Sequence, residues 1–255
     1  MKTSISSLIF LIITSFCSAQ NTRIIESNNI GWYNYFGTWS VSKKWSLHTE
    51  YQWRRTEYFN NWQQGLLRVG LNYQLNPNIL LRSGYAWIET FPYGETPING
   101  LGKDFTEHRA FQMALITNPI GKVVFSHRFM QEQRWVGRYS TRELSREDEF
   151  VFLNRTRYMF RMQVPIFQKC SKAPYLALYD EIFVGYGENV GENIFDQNRL
   201  GFLLGAAVNK NLKIEGGYLY QALQLGREVG GRNVFQNNHG IIINFLFAGK
   251  VRKFE

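Results

Sequence analysis

Once a leader is set aside, this sequence has almost no cysteine. Cys17 lies within the opening "MKTSISSLIFLIITSFCSAQ", which leaves Cys170 alone. A disulfide framework is therefore excluded, and stability has to come from burial and hydrogen bonding. Long apolar runs are missing too. Beyond the leader nothing approaches the ~18 consecutive apolar residues that a membrane-spanning helix needs. Histidine is scarce (His48, His108, His127 and His239), and no two His or Cys stand at metal-ligand spacing, so neither a metal nor another cofactor is expected. The formal charge is +9, but no basic cluster or base-stacking motif accompanies it, and nucleic acid is not an expected partner.

The leader reads as a signal peptide, residues 1–19. Lys2 supplies a basic start and residues 5–16 an apolar stretch. Cys17, Ser18 and Ala19 are small enough for a peptidase cut before Gln20. Phe16 directly before Cys17 fits a lipoprotein cleavage site poorly. The chain is thus expected to be exported, with residues 20–255 forming one domain. At 44% hydrophobic residues, it is too apolar to be disordered.

What is present is period two. Trp45, Leu47, Thr49, Tyr51 and Trp53 alternate with Ser46, His48, Glu50, Gln52 and Arg54. The same alternation returns around Leu67–Tyr73, Ile79–Trp87, Val123–Phe129, Thr156–Met162, Leu200–Val208, Leu212–Tyr220 and Ile241–Phe247. Segments 107–117 and 175–184 are strand-like with a less certain register. Strict alternation with β-branched and aromatic residues on one face makes the chain all β.

The links between strands also alternate. "SKK", "NPN", "NPIG" and "NKN" are tight, and the link from Pro165 to Pro174 is somewhat longer. Long polar links are expected at about 55–64, 90–106, 135–150, 185–197 and 222–237. Short turns at one end and long loops at the other mark an antiparallel up-and-down transmembrane β-barrel of the Gram-negative outer membrane. A strand of about ten residues tilted near 45° covers ~24 Å, the height of the apolar band in such barrels.

A soluble sandwich would show the same period, so the orientation needs its own argument. The polar face is built from Arg: Arg54, Arg68, Arg82, Arg128, Arg134, Arg155, Arg157, Arg161 and Arg199. Arg is preferred over Lys where charges are enclosed and paired. Lys is concentrated in turns and tail, at Lys43, Lys44, Lys122, Lys169, Lys172, Lys210, Lys250 and Lys253, with only Lys213 on a strand face. Trp45, Trp53, Tyr73, Tyr85, Trp87, Tyr218 and Tyr220 fall near strand ends, where interfacial girdles belong. The aromatic face is therefore expected to point outward and the arginines inward. Eleven strands follow from residue 31 onward. A short first strand within 22–29 gives about twelve, an even number with both termini on the periplasmic side, and ten is the alternative.

The strings "KKWSLHTEYQWRR", "LRVGLNYQLNPNILLRSGYAW", "EHRAFQ", "HRFMQEQRW", "NRTRYMFRM", "LYDEIFV" and "DQNRLGFLLGAAVNKNLKIEGGYLYQ" occur in that order. In them the chain resembles the domain-of-unknown-function 2490 family, outer-membrane barrels frequent in Bacteroidota. The resemblance spans essentially the whole mature chain and implies the barrel. It carries no established activity and so assigns no catalytic residue.

Candidate chemistry is sparse. Ser126 and His127 are consecutive on a strand and point to opposite faces, so they do not form a catalytic pair. Glu107, His108 and Arg109 begin a strand just after a long loop, at the height of a rim site for a lipid- or LPS-modifying enzyme. No partner Ser or Asn stands in a recognisable string. The Gly-rich "GYGENVGENIFDQN" offers Glu188, Glu192 and Asp196 as oxygen ligands for Ca²⁺, but they read first as solvated loop acids. "RYSTRELSRE" places Arg138, Arg142 and Arg146 at a spacing of four and suggests a short helix.

The inward charges are the stronger constellation: nine arginines against Glu50, Glu132, Glu181 and Glu215. Enclosed guanidinium groups need partners, so an ion-pair lattice filling a narrow or occluded lumen is expected, with a small-anion channel as its functional counterpart. The chain is read as a non-catalytic, porin-like channel or envelope scaffold. Its expected partners are outer-membrane lipids and LPS, together with an envelope protein reached through the long loops.

Overall fold

Alternating Trp, Leu, Val and Tyr against Arg, Glu, Gln and Gly gives each segment one apolar and one polar face, and every such segment is a strand. The computed structural model describes residues 23–167, 174–191 and 193–251. The leader with Cys17, the turn residues around Cys170, and Glu192 lie outside the described residues.

The elements are β1 (Arg23–Ser40), β2 (Trp45–Thr56), β3 (Asn61–Asn76), β4 (Ile79–Thr90), β5 (Phe105–Ile120), β6 (Val123–Arg138), β7 (Glu149–Pro165), β8 (Tyr175–Tyr186), β9 (Phe195–Ala207), β10 (Leu212–Val229) and β11 (Arg232–Lys250). Each strand pairs antiparallel with its neighbours in sequence, and β1 closes the barrel on β11. Large apolar side chains are exposed on the outer face, among them Leu67, Phe129, Phe202, Leu204 and Tyr218, while Glu50, Glu132, Arg155 and Gln236 are buried inside. A sandwich core would be the inverse.

The count is eleven, one fewer than the twelve expected. Residues 23–29 and 31–40 form one strand, because all of β1 pairs with β11 without a break, from Arg23↔Asn233 to Ser40↔Lys250. An odd number of strands makes this closing pair parallel. β1 consequently starts at the long-loop end, and β11 finishes at the short-turn end.

Two of the five links expected to be long are tight. β2 and β3 are joined by 57–60, where Glu57 and Tyr58 adopt φ of 46° and 63°. β10 and β11 are joined by Gly230 and Gly231, with φ of 58° and 70°. Two consecutive positive φ values define a hairpin turn that matches strand twist and suits Gly-Gly. Residues 139–148 contain no helix. Their backbone is tied instead by Ser140 N donating to Asp148 Oδ1 and Thr106 N donating to Glu147 Oε1.

Inward glycines on β9 make room for rings. Tyr179 faces Gly201 and Tyr175 faces Gly205 across the β8–β9 ladder. A Cβ on Gly201 would lie 2.0 Å from the Tyr179 ring, and one on Gly205 would lie 2.4 Å from that of Tyr175. Gly201→Val should therefore displace Tyr179 and cost ~1–3 kcal/mol by overpacking. The readout is a lower temperature at which the folded band converts to the unfolded band on a gel. An unchanged conversion temperature would show that the ring relocates freely.

Candidate functional site

The inner positions of β2 to β9 carry ten arginines: the nine expected and Arg109. Seven carboxylates are buried inside: Glu26 under the 91–104 loop, and Glu50, Glu107, Glu132, Glu181, Asp196 and Glu215 among the arginines. Glu132 is fully buried at the centre of the lattice. Its oxygens lie 2.6 Å from Arg155, 2.9 Å from Arg157, 3.7 Å from Arg109 and 3.8 Å from Arg68. Four arginines around one carboxylate satisfy it without competition from water, which is what allows a charge to be enclosed.

The lattice spreads outward from there. Arg68 reaches Glu50 at 2.8 Å, and Glu50 also accepts from Gln52 and meets His48 Nε2 at 3.0 Å. Arg157 and Arg128 share Glu181 at 2.7 and 2.8 Å. Arg155 bridges Glu132 to Asp196 at 2.6 Å, and Arg134 joins Asp196 to Glu107, which Arg109 also holds. On the far wall Arg161 on β7 pairs with Glu215 on β10, which also accepts from Tyr175 and Asn244. Strands β7 and β10 are not neighbours, so this pair reaches across the interior past β8 and β9.

Three arginines, Arg54, Arg82 and Arg199, have no carboxylate within 4.0 Å among the described residues. Arg82 donates to Asn72. Arg54 donates to Gln52 and Gln64, and Arg199 to Gln197. Arg54 and Arg199 both lie against Trp32, 3.9 and 4.7 Å from its ring. The indole Nε1 donates to Gln63 at 2.7 Å. Stacking on an aromatic face is a favourable place for a guanidinium that lacks a counter-ion.

Apolar clusters complete the filling. Ile30, Trp32, Tyr175, Ala177, Leu203, Leu219 and Ile242 pack together inside, as do Phe111, Met113 and Met130. The polar alternation gave no sign of them, because they occupy inward positions.

Above the lattice a cavity of about 150 Å³ opens at the long-loop end, lined by Arg54, Arg134, Arg199, Gln64, Gln221 and Gln224. Residues 91–104 fold over it. Glu26 accepts from Thr96, Gln236 donates to Thr96 O, Arg227 to Pro97 O and Asn238 to Tyr93 OH.

Of the thirteen residues expected to line the lumen, nine are buried inside, and Arg82, Arg128, Arg134 and Arg161, less deeply placed, bond inner residues. The three-residue rim candidate does not assemble. Glu107 and Arg109 are inside the lattice, whereas His108 faces out and bonds Tyr85 OH. His127 and His239 make the same kind of outward bond, to Tyr158 and Tyr218. The Ca²⁺ candidate loses Asp196 to Arg155, and Glu192 lies outside the described residues. Glu107, Arg109 and Asp196 are the lattice members missed at the sequence level. Carrying the β5 alternation back from Phe111 would have found the first two.

Fold and interior together define a closed up-and-down β-barrel, charged and filled within and apolar without. The chain belongs to the family described as "Protein of unknown function (DUF2490)", whose model matches residues 29–229. Among solved structures it is similar to the NanC porin in a rhombohedral crystal form. The identity is 12% and the TM-score 0.42, over 80% of this chain and 91% of that one. No curated protein matches the chain.

Proposed function

We propose that the chain is a non-catalytic outer-membrane barrel. Its arginine-lined, occluded lumen would take up small anions from the long-loop side and conduct them narrowly or not at all. The observation that carries this reading is the charge imbalance inside. Seven arginines but only two carboxylates, Glu107 and Asp196, line the cavity, and Arg54 and Arg199 stand beside it with no acid of their own. The membrane location is supported by the outer surface, where the exposed Leu, Val, Phe, Trp and Tyr far exceed the apolar patches that soluble monomers tolerate. The filled interior favours a scaffold or binding barrel over a diffusion pore.

The test is recovery in the outer-membrane fraction followed by planar-bilayer recording. Small, anion-preferring steps are expected, and Arg128→Glu should shift the preference towards cations, since Arg128 is the least buried lattice arginine in an ion pair. Large cation-preferring conductance, or a water-soluble chain, would defeat the reading.

A further inference from the structure

The outer face is largely apolar, and its polar side chains concentrate in one band. Ser83 on β4, Gln112 on β5, Gln131 on β6 and Thr156 on β7 stand in one continuous ladder register. All four point outward and sit well inside their strands. Thr156 Oγ1 donates to Gln131 Oε1 at 2.7 Å, and Gln112 exchanges two amide hydrogen bonds with Gln133 at 3.2 and 3.3 Å. One strand further round, Asp180 occupies the exposed position between Leu178 and Ile182 at the middle of β8. Asn198 donates to it at 2.6 Å. A groove of about 690 Å³, bordered by Trp45, Tyr73 and Phe129, runs along the band and reaches Gln112, Gln131 and Thr156.

None of these groups contributes to the lumen, because each points away from it. If the outer face meets acyl chains, as the proposed function holds, they sit where a polar group left without partners is costly. Their bonds to one another leave capacity unused, since each Gln amide offers two donors and two acceptor lone pairs, and Asp180 accepts at both oxygens.

We propose that this band is the contact surface of a homodimer, with the β4–β8 face of one copy packed against the same face of a second. Amides and hydroxyls both donate and accept, so the band complements its own image about a twofold axis. An axis along the membrane normal at β6 sets the β8 side of one copy against the β4 side of the other. Asp180 then meets hydroxyl and amide donors, not a second carboxylate. A protein with a different surface would have no reason to match a band built almost wholly of groups that pair with themselves.

The experiment places Gln131→Cys, in a Cys170→Ser background, at the axis, with Tyr218→Cys on the opposite side as control. Oxidation is carried out on isolated outer membranes. A disulfide-linked band of twice the chain mass is expected for Gln131→Cys and none for Tyr218→Cys. In parallel, sedimentation in detergent should give a dimer for the parent chain. The combined Gln112→Leu, Gln131→Leu and Asp180→Leu variant should sediment as a monomer with unchanged heat-modifiable migration. No doubled band in membranes that contain the chain, crosslinking only to an unlike protein, or a monomeric parent would each overturn the homodimer while leaving the membrane reading intact. Absence of the chain from the membrane fraction would remove both.

Discussion

Glu132→Ala should lower the unfolding temperature of the barrel by on the order of 10 °C. Glu132 has no exposed surface and four guanidinium groups within 3.8 Å. Each keeps one other acid: Arg155 has Asp196, Arg157 has Glu181, Arg109 has Glu107 and Arg68 has Glu50. What is lost is the common anion that holds the four cations together. Removing one member of an enclosed ion pair costs ~3–5 kcal/mol, and here four buried guanidinium groups are left crowded together with one fewer anion among them. For a domain of this size each kcal/mol corresponds to roughly 2–4 °C. The temperature at which the folded band converts on a gel measures the loss. Glu95→Ala, on the exposed part of the 91–104 loop, should change it little. Pairing Glu132→Leu with Arg157→Met should recover most of the difference, since an enclosed pair can often be replaced by apolar groups of similar volume. If Glu132→Ala converts at the parent temperature, the lattice is not what holds the interior together.

The wall of this barrel was legible in the sequence because two environments alternate strictly along each strand. Every Trp, Leu or Phe on the outward register of β2, β3 or β9 reports the same face. Choosing Arg over Lys on the other face was informative for a chemical reason. Enclosed charges need several fixed donors, which guanidinium supplies and ammonium does not. The closure could not be read, because the pairing of Arg23 with Asn233 joins residues at opposite ends of the chain and leaves no local trace. The link at 57–60 was equally silent, since it turns on Glu57 and Tyr58 and not on the glycines that usually announce positive φ. Asp196 was hidden by an irregularity. The register shifts between Phe183 and Val184, which puts Asp196 and Gln197 on the same buried side in succession and breaks the period that would have identified them. The inner apolar cluster around Trp32 needed coordinates for a different reason. Ile30, Leu203, Leu219 and Ile242 come from four strands, and each alone looks like an exception to alternation.

Shortening the loop over the cavity should change anion access more than any single luminal substitution. Residues 91–104 bury Tyr93 and Asn99 and are held by hydrogen bonds from β10 and β11 and to Glu26 on β1. At ~1 kcal/mol net for each such bond, the cap is stable in its closed position. Beneath it Arg54 and Arg199 line the cavity without a carboxylate partner, so the site exposed by its removal is cationic and has a fluorophore, Trp32, stacked against those two arginines. Replacing residues 92–103 by a short Gly-Ser link, which suits the adjacent antiparallel ends of β4 and β5, should let iodide quench an emission component that is shielded in the parent chain. Caesium at equal concentration should not, because arginines outnumber carboxylates seven to two around the cavity and repel it. Trp32→Phe in the shortened chain should abolish the added quenching, which assigns it to that indole. Bilayer recording of the same variant separates the two obstacles. Conductance that rises with the cap removed places the barrier at the loop, whereas quenching without conductance places it at the Glu132 lattice below. Equal quenching of the shortened and parent chains would mean that the cavity is already open to anions, and the loop would then have no gating role.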